Sequence, residues 1–221
     1  MASRLSKTQI DRLGEELRRS ASAAKPLDVG GLDAYRREFD VAAEKMAQQL
    51  GFHGLDKFTQ RTKSTPSIRD KLLRQTHTRL SQVQDILGIR FVVLDWPEQE
   101  ELCSVLAAIF PDHKIFDRRA TPTFGYRAMH LVVQVDGNPV EIQIRTHFQH
   151  LWSELSENFA DKESQELKYG GGDQRLSAFL VDLSENVHNR ELQLLQLGLR
   201  LPKEQIEEEF KALLPKGIGS V

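Results

Sequence analysis

Apolar positions along the chain switch between a helical period and a strand period, and the switches mark out the elements. From Gly31 to Leu50, the residues Leu32, Tyr35, Phe39, Ala42, Ala43 and Met46 share one helical face, and Ser6–Arg19 reads as a shorter helix before it. The small, Pro/Gly-containing stretch Ser20–Gly30 joins them as a connector. Leu55–Lys63 reads as a strand. Thr65-Pro66-Ser67 then opens a helix through Leu80, with Thr65 as N-cap and Pro66 at the first helical position. Ile86–Asp95 is a near-continuous apolar run and predicts a strand buried on both faces. Pro97–Phe110 follows as a helix and His113–Arg118 as a further strand. Ala128–Val135 and Val140–Arg145 flank Asp136-Gly137, a hairpin turn signal. From His147 onward the period is helical again, with one stripe at Phe148, Leu151, Trp152, Leu155 and Phe159 and a second at Leu176, Phe179, Leu180, Leu183 and Val187. Helices, then a mixed sheet of about five strands, then helices predict an α+β fold. One compact domain is expected, with N-terminal helices over 1–54, a core over 55–165 and a C-terminal helical extension over 166–221.

Composition narrows the class without choosing a function. With 221 residues, 39% hydrophobic and 28% charged, the chain can bury a core that needs neither disulfide nor metal. Its one cysteine, Cys103, lies in an apolar stretch and reads as a core thiol, so a reducing compartment is expected. No segment approaches the roughly 20 apolar residues of a membrane span. Met1–Lys25 lacks the apolar centre of a signal peptide, and the expectation is a cytoplasmic protein without membrane partners. The net charge of −2 is unevenly placed: residues 1–90 carry 17 Lys/Arg against 11 Asp/Glu, and the remainder carries 13 against 21. That split suits an anionic ligand on the first part, or simply solvated helix faces.

Four constellations could carry chemistry. Arg61 and Lys63 alternate along an extended segment, while Ser67, Lys71 and Arg74 share one helix face. Cations converging near a helix N-terminus make a polyphosphate site, although basic clusters are also ordinary surface. Asp85 and Arg90 bracket an apolar strand, as a structural ion pair or as site residues. Tyr126 and His130 fall on one strand face with the small Ala128 between them, which leaves an aromatic platform suited to a nucleobase or else a core pair. Ile142 and Ile144 face the core while Glu141, Gln143 and Arg145 face the other way, toward solvent or a site.

In order, the chain reads Arg-x-Lys-x-x-x-Ser-Ile-x-x-Lys, Asp-x-x-Gly-Ile-Arg, Gly-Tyr-Arg-x-x-His and Glu-Ile-Gln-Ile-Arg-Thr. Over Phe58–Asp161 this resembles the synthetase domain of the RelA/SpoT family, and specifically the single-domain small alarmone synthetases. The resemblance implies a nucleotidyltransferase-like synthetase fold, Mg²⁺ as cofactor and ATP as pyrophosphate donor. The implied reaction moves the β,γ-pyrophosphate of ATP to the 3′-hydroxyl of GDP or GTP, giving (p)ppGpp and AMP. By motif, Arg61, Lys63, Ser67, Lys71 and Arg74 would hold ATP, with Arg90 stacking on its adenine. Asp85 would bind the metal, and Glu141 would share it or take the proton of the attacking hydroxyl. Tyr126 would stack on the acceptor base, with His130 near its phosphates or sugar and Arg118, Gln143 and Arg145 completing the acceptor side.

Two departures bear on the acceptor. Family members carry a Lys between the Asp and the Gly-Tyr of the acceptor loop, and a Ser two residues after the Tyr. Here Asp117 to Phe124 offers Arg118 and Arg119 but no Lys, and Ala128 takes the Ser position. That loop, with Lys168-Tyr169-Gly170-Gly171-Gly172, resembles the toxic branch of these synthetases, in which the acceptor is the tRNA 3′ end or an adenosine nucleotide and an antitoxin protein is a partner. A catalytically silent nucleotide- or RNA-binding regulator is a third reading, against which stand the two retained carboxylates. The leucine-rich segment Leu176–Leu201 could pack on the sheet, form a homo-oligomer or receive an antitoxin. No His-Asp dipeptide offers a metal-dependent alarmone hydrolase, no P-loop pattern is present, and His147 and His150 have no cysteine or third histidine nearby for zinc.

Overall fold

A computed structural model describes residues 5–20 and 30–215. The connector expected at Ser20–Gly30 therefore falls, for 21–29, outside the described residues. The elements are α1 (Lys7–Ser20), α2 (Gly30–Phe52), β1 (Thr59–Thr62), α3 (Thr65–Arg74), β2 (Leu87–Val93), α4 (Trp96–Ile109), β3 (His113–Asp117), β4 (Met129–Val135), β5 (Asn138–Thr146), α5 (His147–Lys162), α6 (Gln174–Leu197) and α7 (Lys203–Leu213). Short 3-10 turns lie at Leu80–Gln82 and Gln165–Tyr169. The strands form one sheet in the order β1-β2-β5-β4-β3, so the α+β expectation with about five strands holds. No helix among the described residues is long and apolar enough to cross a membrane.

The chain divides into two compact units. The first comprises residues 1–89 and 132–142. Its core includes the predicted face of α2, where Leu32, Tyr35, Phe39, Met46 and Leu50 are buried, and Ile68 and Leu72 of α3 are buried as well. The β4–β5 hairpin turns at Asp136 and Gly137, both with positive φ (51° and 70°), as a two-residue primed turn requires.

α3 differs from expectation at both ends. Ser64, not Thr65, is the N-cap: its side chain accepts from the Ser67 N–H, which places Thr65 and Pro66 in the first turn. The helix stops at Arg74 rather than running to Leu80. Arg18 of α1 donates to the carbonyls of Leu72 (3.2 Å), Gln75 (3.3 Å) and Thr78, satisfying acceptors that a longer helix would have used internally.

The second unit comprises residues 90–131 and 143–221. Its apolar cluster combines Phe148, Trp152 and Leu155 of α5 with Leu180, Leu183, Val187 and Leu194 of α6 and Ile206 and Phe210 of α7. The inner positions of the two stripes predicted from periodicity, Phe148, Trp152 and Leu155 and Leu180, Leu183 and Val187, meet in this cluster, and Leu194 and α7 extend it beyond the prediction. β2 corrects one expectation: it is buried on one face only. Leu87, Ile89 and Phe91 are buried, whereas Gly88, Arg90 and Val92 lie on a partly open face. The apolar run concealed an alternation because glycine and valine sit on either side of the single charge.

Candidate nucleotide site

In the first unit the sequence clusters Lys63, Lys71 and Asp85 around one carboxylate. Lys63 Nζ donates to Asp85 Oδ2 at 2.7 Å, and Lys71 Nζ lies 2.8 Å from Oδ1. The strand end places Lys63, whose backbone N–H bonds the Ile86 carbonyl, and α3 supplies Lys71 one turn after Ser67. Burial works to raise the Asp85 carboxyl, but Lys71 and Lys63 outweigh it and hold it below the ordinary range. Two ammonium groups therefore share one carboxylate, leaving cationic charge for an anion to take. Ser67 Oγ is hydrogen-bonded to the capping Ser64 Oγ at 2.9 Å. Arg61 and Arg74 are exposed. Glu141 is half-buried on β5, alternating with the fully buried Val140 and Ile142 as predicted.

Asp85 and Glu141 are both carboxylates, hard oxygen donors of the kind that Mg²⁺ takes. That ion takes one or two carboxylates and completes its shell with phosphate oxygens and water.

The second unit carries a different cluster. Tyr126 leaves a two-residue turn in which both Phe124 (φ 52°) and Gly125 (φ 85°) are left-handed, closed by the Tyr126 N–H on the Thr123 carbonyl at 3.0 Å. A Cβ on Gly125 would lie 2.7 Å from Trp152 Cζ2, so only glycine fits. The turn is clamped to α6: Ser184 Oγ donates to the Gly125 carbonyl, Arg127 Nε donates to Ser184 Oγ at 3.1 Å, and Arg127 Nη2 meets Glu185 at 2.6 Å. Tyr126 and His130 do share a face, but edge to face, with the phenol oxygen 2.8 Å from His130 Nε2. The Arg145 guanidinium sits 5.1 Å above the Tyr126 ring, so one ring face is occupied rather than both being open. Ala128, expected beside an open platform, is fully buried.

Arg145 is 4% exposed; its Nη2 donates to Gln143 Oε1 at 3.1 Å, while Nε and Nη1 have no hydrogen-bond partner among the described residues. Arg90 also leaves Nε unpartnered, and its nearest carboxylate, Glu157, is 3.9 Å away. Burial and the Arg145 cation pull the Arg90 guanidinium pKa down. His150 is likewise held below its usual value, chiefly by burial, with Arg145 and Arg90 adding to it against Glu154. Two under-neutralised guanidinium groups are a standing site for an anion or a π-face.

The two arginines of the acceptor loop separate cleanly. Arg119 is locked by Asp117 (2.7 Å) and Glu100 (3.2 Å) and lies 4.7 Å over Trp96, whereas among the described residues Arg118 Nη1 donates to Thr123 Oγ1 at 3.1 Å and has no carboxylate at ion-pair distance. His147 and His150 pair with Glu207 and Glu154, each at 3.3 Å. Sequence reasoning missed a cavity of about 150 Å³ beside Tyr126, lined also by Phe124, Ser153, Glu157 and Lys168. Ser153 is 3% exposed, and its Oγ has no hydrogen-bond partner among the described residues. The signal was Lys168-Tyr169-Gly170: Gly170 lies so close to the Phe124 ring that a Cβ would come within 2.3 Å.

This architecture is shared with solved proteins. The chain has the fold of the small alarmone synthetases: it is similar to small alarmone synthetase 1 of Bacillus subtilis, with a TM-score of 0.57 and 22% identity over 78% of this chain and 97% of that one. The same protein bound to its product pppGpp gives a TM-score of 0.56 at 23% identity over 74% and 92%. Residues 60–166 match the family described as the region found in RelA / SpoT proteins, and the four ordered motifs lie within that stretch. Among curated relatives, an uncharacterized protein of Mycobacterium tuberculosis, Rv1366, is 36% identical over 126 residues, 56% of this chain. The chain spans 46% of that relative's length, less than half.

Proposed function

We propose that the protein is an ATP-dependent pyrophosphokinase that transfers the β,γ-pyrophosphate of ATP to the 3′-hydroxyl of GDP or GTP in the cytoplasm. The observation that carries this is the Asp85 carboxylate held between Lys63 and Lys71, a charge arrangement that a magnesium–triphosphate can enter by exchange. Bound at Asp85 and Glu141, Mg²⁺ would supply neutralisation of phosphate charge. Lys63, Lys71, Arg61 and Arg74 bind the phosphates, Ser67 lies beside them at the start of α3, and Arg90 stacks on adenine. Tyr126 stacks on the acceptor base, and His130, Gln143, Arg145 and Arg118 orient its sugar and phosphates. The acceptor 3′-oxygen attacks the β-phosphorus, the bond from that phosphorus to the oxygen of the α-phosphate breaks, AMP leaves, and the hydroxyl proton passes to Glu141. Arg118 takes the part of the missing loop lysine, because Arg119 is committed to Asp117 and Glu100.

The test uses ATP labelled at the γ-phosphate, with GDP, GTP, AMP, ADP and deacylated tRNA offered separately. Label in a guanosine tetra- or pentaphosphate supports the reading. Label in tRNA or an adenosine nucleotide replaces the acceptor and makes an antitoxin the partner to seek. Retained ATP binding without transfer to any acceptor leaves a silent regulator. Glu141→Gln separates the steps: it should bind ATP and fail to transfer, and full activity would remove Glu141 from its role.

A further inference from the structure

The second unit contains a cavity of about 180 Å³ away from Tyr126 and Arg145, between the first turn of α4 and the link joining α6 to α7. Its walls are apolar, with Leu94, Phe148, Leu194 and Ile206 among them, and its one buried ionisable group is Glu191. Arg200 closes the link onto α4 through Asp95 and Glu98 (2.6 Å), so the cavity lies under a latched segment.

Glu191 falls in the apolar stripe Leu180, Leu183, Val187 and Leu194, where the helical period calls for another hydrophobic residue. Thr146 Oγ1 donates to one of its oxygens and Gln149 Nε2 to the other at 3.3 Å, yet no cation among the described residues is within ion-pair distance. Burial raises this carboxyl to about 7. The Trp96 indole N–H, at the cavity wall, and the more distant Arg127 charge also favour the carboxylate, yet a buried carboxylate without a cation in contact is costly, and its two oxygens keep room for one further donor.

We propose that this cavity binds a small apolar amine, with a ring-sized hydrocarbon body beneath the 198–201 link and its ammonium on Glu191. Size sets the body, since a cavity near 150 Å³ accommodates benzene, and a one- or two-carbon arm uses the remainder. Charge complementarity sets the head. The occupant also reaches a hydrogen-bond network: Gln149 Oε1 accepts from Gln99 Nε2 (2.9 Å), which also donates to the Ile144 carbonyl (2.7 Å), immediately before Arg145.

Calorimetric titration of the full chain with benzylamine, benzyl alcohol and toluene tests this without reference to transfer activity. Benzylamine should bind at least tenfold more tightly than benzyl alcohol, the preference should vanish in Glu191→Gln, and Leu195→Trp at the mouth should abolish both. In the wild-type protein, benzylamine should shift the amide resonances of Thr146 and Gln149. No binding, equal binding of amine and alcohol, a preference that survives Glu191→Gln, or resonance shifts confined elsewhere would each overturn the proposal.

Discussion

The Tyr126 phenol and the His130 imidazole are joined at 2.8 Å with their rings 5.5 Å apart and 72° from parallel. The imidazole therefore steers the phenol without covering the ring, while Arg145 covers one ring face. Stacking a base on an aromatic ring is worth about 1–3 kcal/mol. Tyr126→Ala should raise the acceptor KM roughly 10- to 100-fold by that measure, and leave ATP affinity unchanged. Tyr126→Phe keeps the ring and loses the tie to His130, so its KM change should stay under about tenfold. Steady-state kinetics with the acceptor varied distinguishes the two.

Asp85 makes a second, independent prediction. Asp85→Asn should lower kcat by on the order of 100-fold, as loss of one charge-positioning group does, while nucleotide binding persists because Lys63 and Lys71 remain. The same variant should change the acid limb of stability. The Asp85 pKa is depressed in the native protein, so its contribution is present above the unfolded value near 3.9 and is lost as pH falls through the native value. Asp85→Asn should therefore unfold with a weaker pH dependence below about pH 4, read by denaturant titration at pH 3 to 7.

How much of this was legible depended on how local each cause is. Alternation placed Ile142 and Ile144 in the core and Glu141, Gln143 and Arg145 opposite, because strand geometry decides it within five residues. The α3 C-terminus was not legible: the group that ends the helix is Arg18, 54 residues earlier than Leu72. Nor could the loop itself tell Arg118 from Arg119. Their difference is made by Glu100 and Trp96 on α4 as well as the neighbouring Asp117. Glu191 was visible in principle as a charge in a hydrophobic stripe, but only the fold shows that it is buried with Thr146 and Gln149.

Gly125 is where backbone conformation and packing coincide. Its φ of 85° disfavours any side chain, and Trp152 and Ser184 leave no room for a methyl group. Gly125→Ala should destabilise the protein by about 2–4 kcal/mol from the combined conformational and packing terms. It should also misplace Tyr126, so acceptor KM rises even at temperatures where the variant is fully folded. A loss of stability with unchanged acceptor KM would show that the turn serves folding alone.

Arg145 opposes stability to function most directly. The residue is 4% exposed, held by Gln143 and Tyr126 through one nitrogen, with two further nitrogens unpartnered among the described residues, and its cation is close enough to Arg90 to lower the pKa of that guanidinium. Replacing an under-paired buried charge by an apolar side chain of similar reach is often neutral or stabilising, by about 1–4 kcal/mol. Arg145→Met should therefore melt at the same temperature as wild type or a few degrees higher in the absence of nucleotide, and lose transfer activity by on the order of 100-fold. Addition of the acceptor nucleotide alone should then raise the melting temperature of the wild type by more than that of the variant, because the variant has lost the guanidinium that the acceptor's anionic groups would compensate. A variant that is strongly destabilised without ligand would show instead that Gln143 and Tyr126 alone satisfy the guanidinium, and that the site's cationic surplus lies in Arg90.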